Sequence, residues 1–180
     1  MAVSIKSKRE IELMQEACKI TALTYEYIEK IIKPGMSTLE LDNLAEKFIK
    51  EHGGIPAQKG YPSGVRGVPN FPGTLCVSVN DVVIHGIPSK KDIIKDGDIV
   101  SIDLTVFKNG FHGDAARTHL VGNVSDEARK LVDIAYDKAV KAGQIDEDDV
   151  VFLTMGSGAI NETVTRRFNY ISDAWKELVK

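Results

Sequence analysis

Asp103 and Asp114 stand on either side of an Asn109-Gly110 dipeptide in the stretch IVSIDLTVFKNGFHGDAARTHLVG, residues 99–122. Carboxylates that converge on one point can hold a divalent cation or share a proton. Residues 99–107 are rich in β-branched and apolar types, and residues 111–121 return. Asn-Gly between two such runs favours the tight primed turn of a β-hairpin. With Asn109 and Gly110 as the two loop residues, Lys108 pairs with Phe111, Thr105 with Asp114 and Asp103 with Ala116. Side chains alternate along a strand, so Asp103, Thr105, Asp114 and Ala116 share one face. Ile102, Leu104 and Val106 then point the other way, into a core. The two aspartates become diagonal neighbours with backbones roughly 7–8 Å apart. Like charges at that range raise each other's pKa or demand a cation. In an arbitrary hairpin, two aspartates are more simply a solvated pair.

Upstream of the hairpin, His85 stands in Val-Ile-His-Gly-Ile-Pro, where a turn would let an imidazole project into a cleft. An imidazole titrates near neutrality and can donate or accept there. His112 shares the expected face of Asp114, and His119 lies on the opposite one. His52 follows the second helix and reads as a partner of that helix's C-terminal dipole.

Taken together, IVSIDLTVFKNGFHGDAART and VIHGIP closely resemble the type I methionine aminopeptidases of the pita-bread (creatinase/aminopeptidase) fold. Motif, turn and upstream histidine agree in order and spacing. The resemblance implies that Asp103 and Asp114 are ligands of a dinuclear metal centre. It implies that His85 hydrogen-bonds substrate near the scissile amide and stabilises the tetrahedral intermediate. It implies two divalent ions, without distinguishing cobalt, manganese, iron, zinc or nickel. The substrate it implies is a peptide or nascent chain with an N-terminal methionine. Tyr61, Phe71 and Cys76 fall near the positions that line the family's methionine pocket, where soft, polarizable walls suit a thioether. Residues 62–69 read as an insertion relative to the family pattern.

The elements that must position these residues are legible. Ser7 and Glu10 have capping-box spacing. Ile11, Met14, Cys18, Thr21, Tyr25, Ile28 and Ile32 then recur at alternating steps of three and four, the stripe of a long helix that ends at Lys33-Pro34-Gly35. Ser37 and Glu40 repeat the capping pattern before Leu41, Leu44, Ala45, Phe48 and Ile49. Residues 55–74, rich in Pro and Gly, read as one long loop. Residues 75–79 read as a strand, Asn80-Asp81 as a turn and residues 82–84 as a second short strand. Ser125 caps a third helix over residues 126–142. Residues 150–155 form a continuous apolar run expected to be a buried strand, and residues 173–179 a short amphipathic end.

With 180 residues, 43% of them hydrophobic, the chain is long enough for one domain with a real core. A net charge of −3 gives no basic footprint for nucleic acid. No apolar run reaches membrane-spanning length, and the N-terminus lacks the apolar stretch of a secretory signal. The cysteines, Cys18 and Cys76, lack metal-type spacing, and Cys18 falls on an apolar helix face. These features lead to the expectation of a cytoplasmic protein without membrane or nucleic-acid partners.

The fold class expected is α+β, a partial pita-bread fold in which an antiparallel sheet is backed by helices, with an unassigned α/β tail. The resemblance runs over residues 5–132, the N-terminal half of the family's domain, and residues 133–180 do not align with it. In the family, the second half supplies a histidine in Gly-His-Gly, a glutamate in Glu-Pro and a glutamate in Glu-His-Thr. None of these motifs occurs here, and no histidine follows His119. The family function implied is metal-dependent removal of the initiator methionine. The chain itself is expected to be nearly inactive, with weak or partial metal binding. An uncovered sheet edge would invite self-association. The alternative reading is a catalytically dead binding or scaffold protein derived from this fold, or an incomplete gene product.

Overall fold

The computed structural model describes residues 5–141. Its elements are α1 (Lys8–Ile31), α2 (Thr38–Glu51), β1 (Ile55–Pro56), β2 (Leu75–Val79), β3 (Ile99–Lys108), β4 (Phe111–Leu120) and α3 (Asp126–Lys141). They form an antiparallel sheet backed by helices, the α+β architecture expected from the sequence. The expected strand at 150–155 and the amphipathic end at 173–179 lie outside the described residues.

β3 is the centre of the sheet. On one side it pairs along its whole length with β4, in the register Lys108↔Phe111, Thr105↔Asp114 and Asp103↔Ala116 that the Asn109-Gly110 turn dictates. Asn109 and Gly110 both have positive φ, 52° and 85°, as a primed turn requires. On its other side, β2 pairs with Val100–Leu104 and β1 with Val106–Phe107, end to end. β1 lies within the segment read from sequence as an unbroken loop. Two residues are too few to carry an alternation signal, so only the pairing reveals it.

Residues 82–84 are not a strand. Asn80 turns out of β2 with φ 52°, and its side chain and backbone close on Ile99 instead. Val82, Val83 and Ile84 pair with no strand among the described residues, and all three are exposed. Their β-branched composition imitated a strand without the partner that makes one.

α1 begins with the expected capping box. Ser7 Oγ accepts from Glu10 N–H, and the Glu10 carboxylate accepts from Ser7 N–H at 2.7 Å. α2 begins at Ser37, whose hydroxyl accepts from Glu40 N–H. It ends at His52, whose Nδ1 lies 2.8 Å from Phe48 O. α3 begins at Ser125, whose hydroxyl accepts from Ala128 N–H.

α1 lies across the face carrying Ile102, Leu104 and Val106, all fully buried with Tyr25 and Ile28. The Tyr25 hydroxyl reaches the carbonyls of both Ile102 (2.9 Å) and Ala115 (2.7 Å), linking α1 to β3 and β4 at one point. Helix and hairpin approach closely at Gly113, where a Cβ would fall 2.6 Å from Cys18 N. Thr21 Oγ1 donates to Gly113 O there. Cys18, expected on the apolar face, is half-buried at this crossing.

His119 is buried on this same face, stacked on Tyr25 with ring centroids 6.2 Å apart. Its Nε2 has no hydrogen-bond partner among the described residues. Burial, seconded by the nearby Arg117 guanidinium, lowers its pKa from 6.5 to about 4, with Glu29 acting weakly in the opposite sense. Between those values the unfolded chain binds a proton that the folded one refuses. Stability is therefore full above pH 6.5 and falls as the pH drops toward about 4, by up to about 3 kcal/mol. Urea denaturation of the protein and of a His119→Phe variant at pH 7 and pH 4.5 measures this. The wild type should lose more stability over that interval than the variant.

Candidate metal centre

The face of the hairpin turned away from α1 carries Asp103, Thr105, Asp114 and Ala116, because pairing register and strand alternation leave no other arrangement. Both aspartates are partly buried. Thr105 Oγ1 donates to Asp114 Oδ1 at 2.9 Å, which fixes the orientation of that carboxylate from directly across the ladder. Cys76 lies opposite Asp103 on the other neighbouring strand and shares its face. Burial and then the charges of Asp103 and Asp114 push its thiol up to about 12, so it presents a neutral, soft surface rather than a thiolate. Farther along the face, Ser101 and Thr118 hydroxyls meet at 2.9 Å. His112 is on this face but exposed, its ring against Phe107.

β2 is held by a carboxylate from outside the sheet. Asp42, buried on α2, accepts from the N–H groups of Thr74 and Leu75, both at 2.8 Å. Desolvation raises its pKa, and those two amides oppose the rise. This contact starts the strand that brings Cys76 beside Asp103.

His85 lies on a strap running along the outer edge of β2. Val77 N–H donates to Gly86 O at 2.9 Å, and Gly86 N–H donates to Ser78 Oγ at 3.2 Å. Gly86 is required here, since a Cβ would fall 2.0 Å from Val77 O. His85 itself has φ 57° and an exposed side chain. The backbone is thus fixed at Gly86, the residue that follows an imidazole facing solvent.

Tyr61 and Phe71 are brought together by the backbone. Gly60 N–H donates to Phe71 O (2.7 Å) and Phe71 N–H to Tyr61 O (2.9 Å). This closes residues 62–70 into an exposed excursion that contains the segment read as an insertion, 62–69, while Tyr61 is exposed and Phe71 half-buried at its base.

Gln58 was not singled out by the sequence. Ala57 N–H donates to Thr105 O, extending the β1 pairing, and Gln58 then reaches Asp103. A single glutamine after a two-residue strand carries no periodic signal, and its place beside Asp103 is set by the fold alone.

The carboxylate pair suits a cation: two oxygen donors on one face, one of them oriented by a hydroxyl. Among the described residues no group of three or more His, Cys, Asp or Glu could complete a shell. The sequence model of metallopeptidase family M24 matches residues 12–156. The chain belongs to this family. As an M24 protein it has strong relatives among methionine aminopeptidases. Methionine aminopeptidase 1 of Bacillus subtilis is 48% identical over 139 residues, covering 77% of this chain and 53% of the relative. The methionine aminopeptidase of Buchnera aphidicola subsp. Schizaphis graminum is 36% identical over 169 residues, covering 94% of this chain and 62% of the relative. The methionine aminopeptidase structure from Thermotoga maritima superposes with a TM-score of 0.73 at 34% identity, covering 80% of this chain and 55% of that one. The M24 chain therefore spans little more than half the length of these relatives. The family match continues past Val132, where the resemblance visible in the motifs ends. No helix among the described residues is long and apolar enough to cross a membrane.

Proposed function

We propose that this M24 chain carries one wall of a type I methionine aminopeptidase centre, with Asp103 and Asp114 holding divalent metal and His85 contacting the peptide. The observation that carries this reading is the Thr105↔Asp114 register, which puts both carboxylates on one face of β3 and β4. A divalent ion held there would supply Lewis acidity toward the scissile carbonyl. Thr105 holds the Asp114 carboxylate in one orientation. His85, anchored through Gly86 to β2, donates or accepts a hydrogen bond at the substrate amide. Cys76, with Tyr61 and Phe71 at the base of the 62–70 excursion, lines the slot for the methionine side chain.

In this reading residues 1–132 are the N-terminal half of the family's domain, and residues 133–180 are a tail without the motifs of the family's second half, although the family match reaches residue 156. The substrate is a peptide or nascent chain beginning with methionine, in the cytoplasm. The outer edge of β4 pairs with no strand among the described residues, which supports self-association through that edge. A second reading, a binding or scaffold protein without catalysis, is favoured by the lack of a third ligand among the described residues.

Manganese titration of the whole chain by calorimetry tests the metal reading. Saturable uptake that disappears in an Asp103→Asn, Asp114→Asn double variant is the expected outcome. Uptake unchanged in that variant would remove the pair from any metal role.

A further inference from the structure

We infer that Thr21 and Tyr25, one turn apart on α1, are the residues that position the two carboxylates of the candidate metal centre, each by fixing the peptide bond that leads into one aspartate. This rests on the reading of Asp103 and Asp114 given above. The two hydroxyls lie behind the hairpin, on the face opposite the carboxylates, and both residues are fully buried. Thr21 Oγ1 donates to Gly113 O at 2.9 Å, and that carbonyl belongs to the peptide bond leading into Asp114. The Tyr25 hydroxyl lies 2.9 Å from Ile102 O, on the peptide bond leading into Asp103, and 2.7 Å from Ala115 O on the neighbouring strand.

The hairpin register explains how the hydroxyls reach these carbonyls without breaking the ladder. The two-residue turn makes Lys108 and Phe111 a hydrogen-bonded pair, so Val106–Gly113, Leu104–Ala115 and Ile102–Arg117 are hydrogen-bonded pairs as well. The Gly113, Ala115 and Ile102 carbonyls therefore have strand partners, and each oxygen keeps a second lone pair to offer a hydroxyl. Thr105–Asp114 and Asp103–Ala116 are the alternate pairs, in which facing Cα atoms come closest. Each aspartate thus follows a residue whose carbonyl is tied to α1.

Side chains at i and i+4 stand one above the other on a helix, with Cβ atoms about 5–6 Å apart. α1 therefore acts as a ruler laid behind the hairpin, and the spacing of its two hydroxyls sets the spacing of the two aspartate-bearing peptides. Gly113 lets the helix come near enough for Thr21 to bond, since it has no Cβ to meet Cys18 N. Burial pushes the Tyr25 phenol well above its usual range, so it remains a proton donor at neutral pH. Thr24 supplies the contrast. It is equally buried, but its hydroxyl donates at 2.7 Å to Ile20 O within its own helix rather than to the sheet.

Carboxyl-carbon NMR of the full chain, without metal and at neutral pH, tests this, with the Asp103 and Asp114 signals assigned from Asp103→Asn and Asp114→Asn. Thr21→Val is expected to shift the Asp114 signal and Tyr25→Phe the Asp103 signal. Thr24→Val, which deletes an equally buried hydroxyl, is expected to move neither. Calorimetric titration of the same chains with manganese chloride should show roughly tenfold weaker binding for Thr21→Val and Tyr25→Phe, and wild-type binding for Thr24→Val. Aspartate signals unmoved in both Thr21→Val and Tyr25→Phe would overturn the proposal. So would a Thr24→Val variant that moves them as far, since the hydroxyls would then act only through the general packing of α1. Should one of the two variants fail to fold, judged by circular dichroism, the other decides alone. No manganese uptake by the wild type sinks the metal reading and not the positioning, because the carboxyl signals report on the aspartates without metal.

Discussion

A peptide of the Met-Ala-Ser type, incubated with the purified 180-residue chain and added cobalt or manganese, should release methionine at least ~10³-fold more slowly than with an intact methionine aminopeptidase. On the proposed reading, the family motifs supply two metal ligands, Asp103 and Asp114, and one substrate-contacting histidine, His85. The glutamate that moves the proton in the resembled enzymes has no counterpart in its Glu-Pro or Glu-His-Thr setting. The four histidines end at His119, so the second-half histidine is also missing. Acid–base assistance alone typically contributes 10²–10⁴-fold, and incomplete metal occupancy adds to the deficit by leaving water near its ordinary pKa. Release of free methionine, followed by amine derivatisation and chromatography, measures this directly. Turnover comparable with an intact enzyme would mean that ligands come from residues 142–180 or from a second subunit.

Gly113→Val should cost at least roughly 3 kcal/mol of folding stability, read as a shift in urea midpoint. A Cβ at Gly113 meets Cys18 N at 2.6 Å, Ala17 C at 2.7 Å and Cys18 Cα at 2.7 Å. All three are atoms of the α1 backbone, so no side-chain rotation relieves the overlap. The helix must lift from the hairpin, which also stretches the Thr21–Gly113 hydrogen bond and the Tyr25 contacts two residues farther along. Gly110→Ala is the control. It sits at the open turn with nothing within 4 Å, so its penalty is confined to its positive φ. Equal losses for the two variants would show that close helix packing at Gly113 is not the constraint.

The hairpin was legible because local chemistry decides it. Asn-Gly specifies the turn, the turn specifies the register, and the register specifies which side chains share a face. The three capping serines, Ser7, Ser37 and Ser125, were legible for a similar reason, since each acts within four residues of its own position. What the sequence misread depends on distant partners. Val82, Val83 and Ile84 have strand composition, but whether they pair is settled by where Asn80 turns and by which segment lies beside β2. β1 was invisible because its two residues become a strand only against Phe107 and Val106. Gln58 and Asp42 act across 45 and 32 residues of sequence, on Asp103 and Thr74 respectively. Neither carries a spacing signal that a linear reading could use. The burial of His119 was readable only as a face assignment, and its depressed pKa follows from α1 lying over it.

The backbone closure between Gly60-Tyr61 and Phe71 has a consequence for how the chain tolerates changes in length. Residues 62–70 leave and return through one pair of hydrogen-bonded neighbours, and every residue between them is exposed. Chain added inside such a closed excursion costs only loop entropy, about 0.6 kcal/mol for each doubling of its length. None of that cost reaches the strands, because the closing pair already holds the ends together. A flexible insert between Arg66 and Gly67 would therefore leave the carboxylate face in place. The same isolation makes this segment the natural point for joining a second module to the protein, or for cutting it with a protease while its halves remain associated.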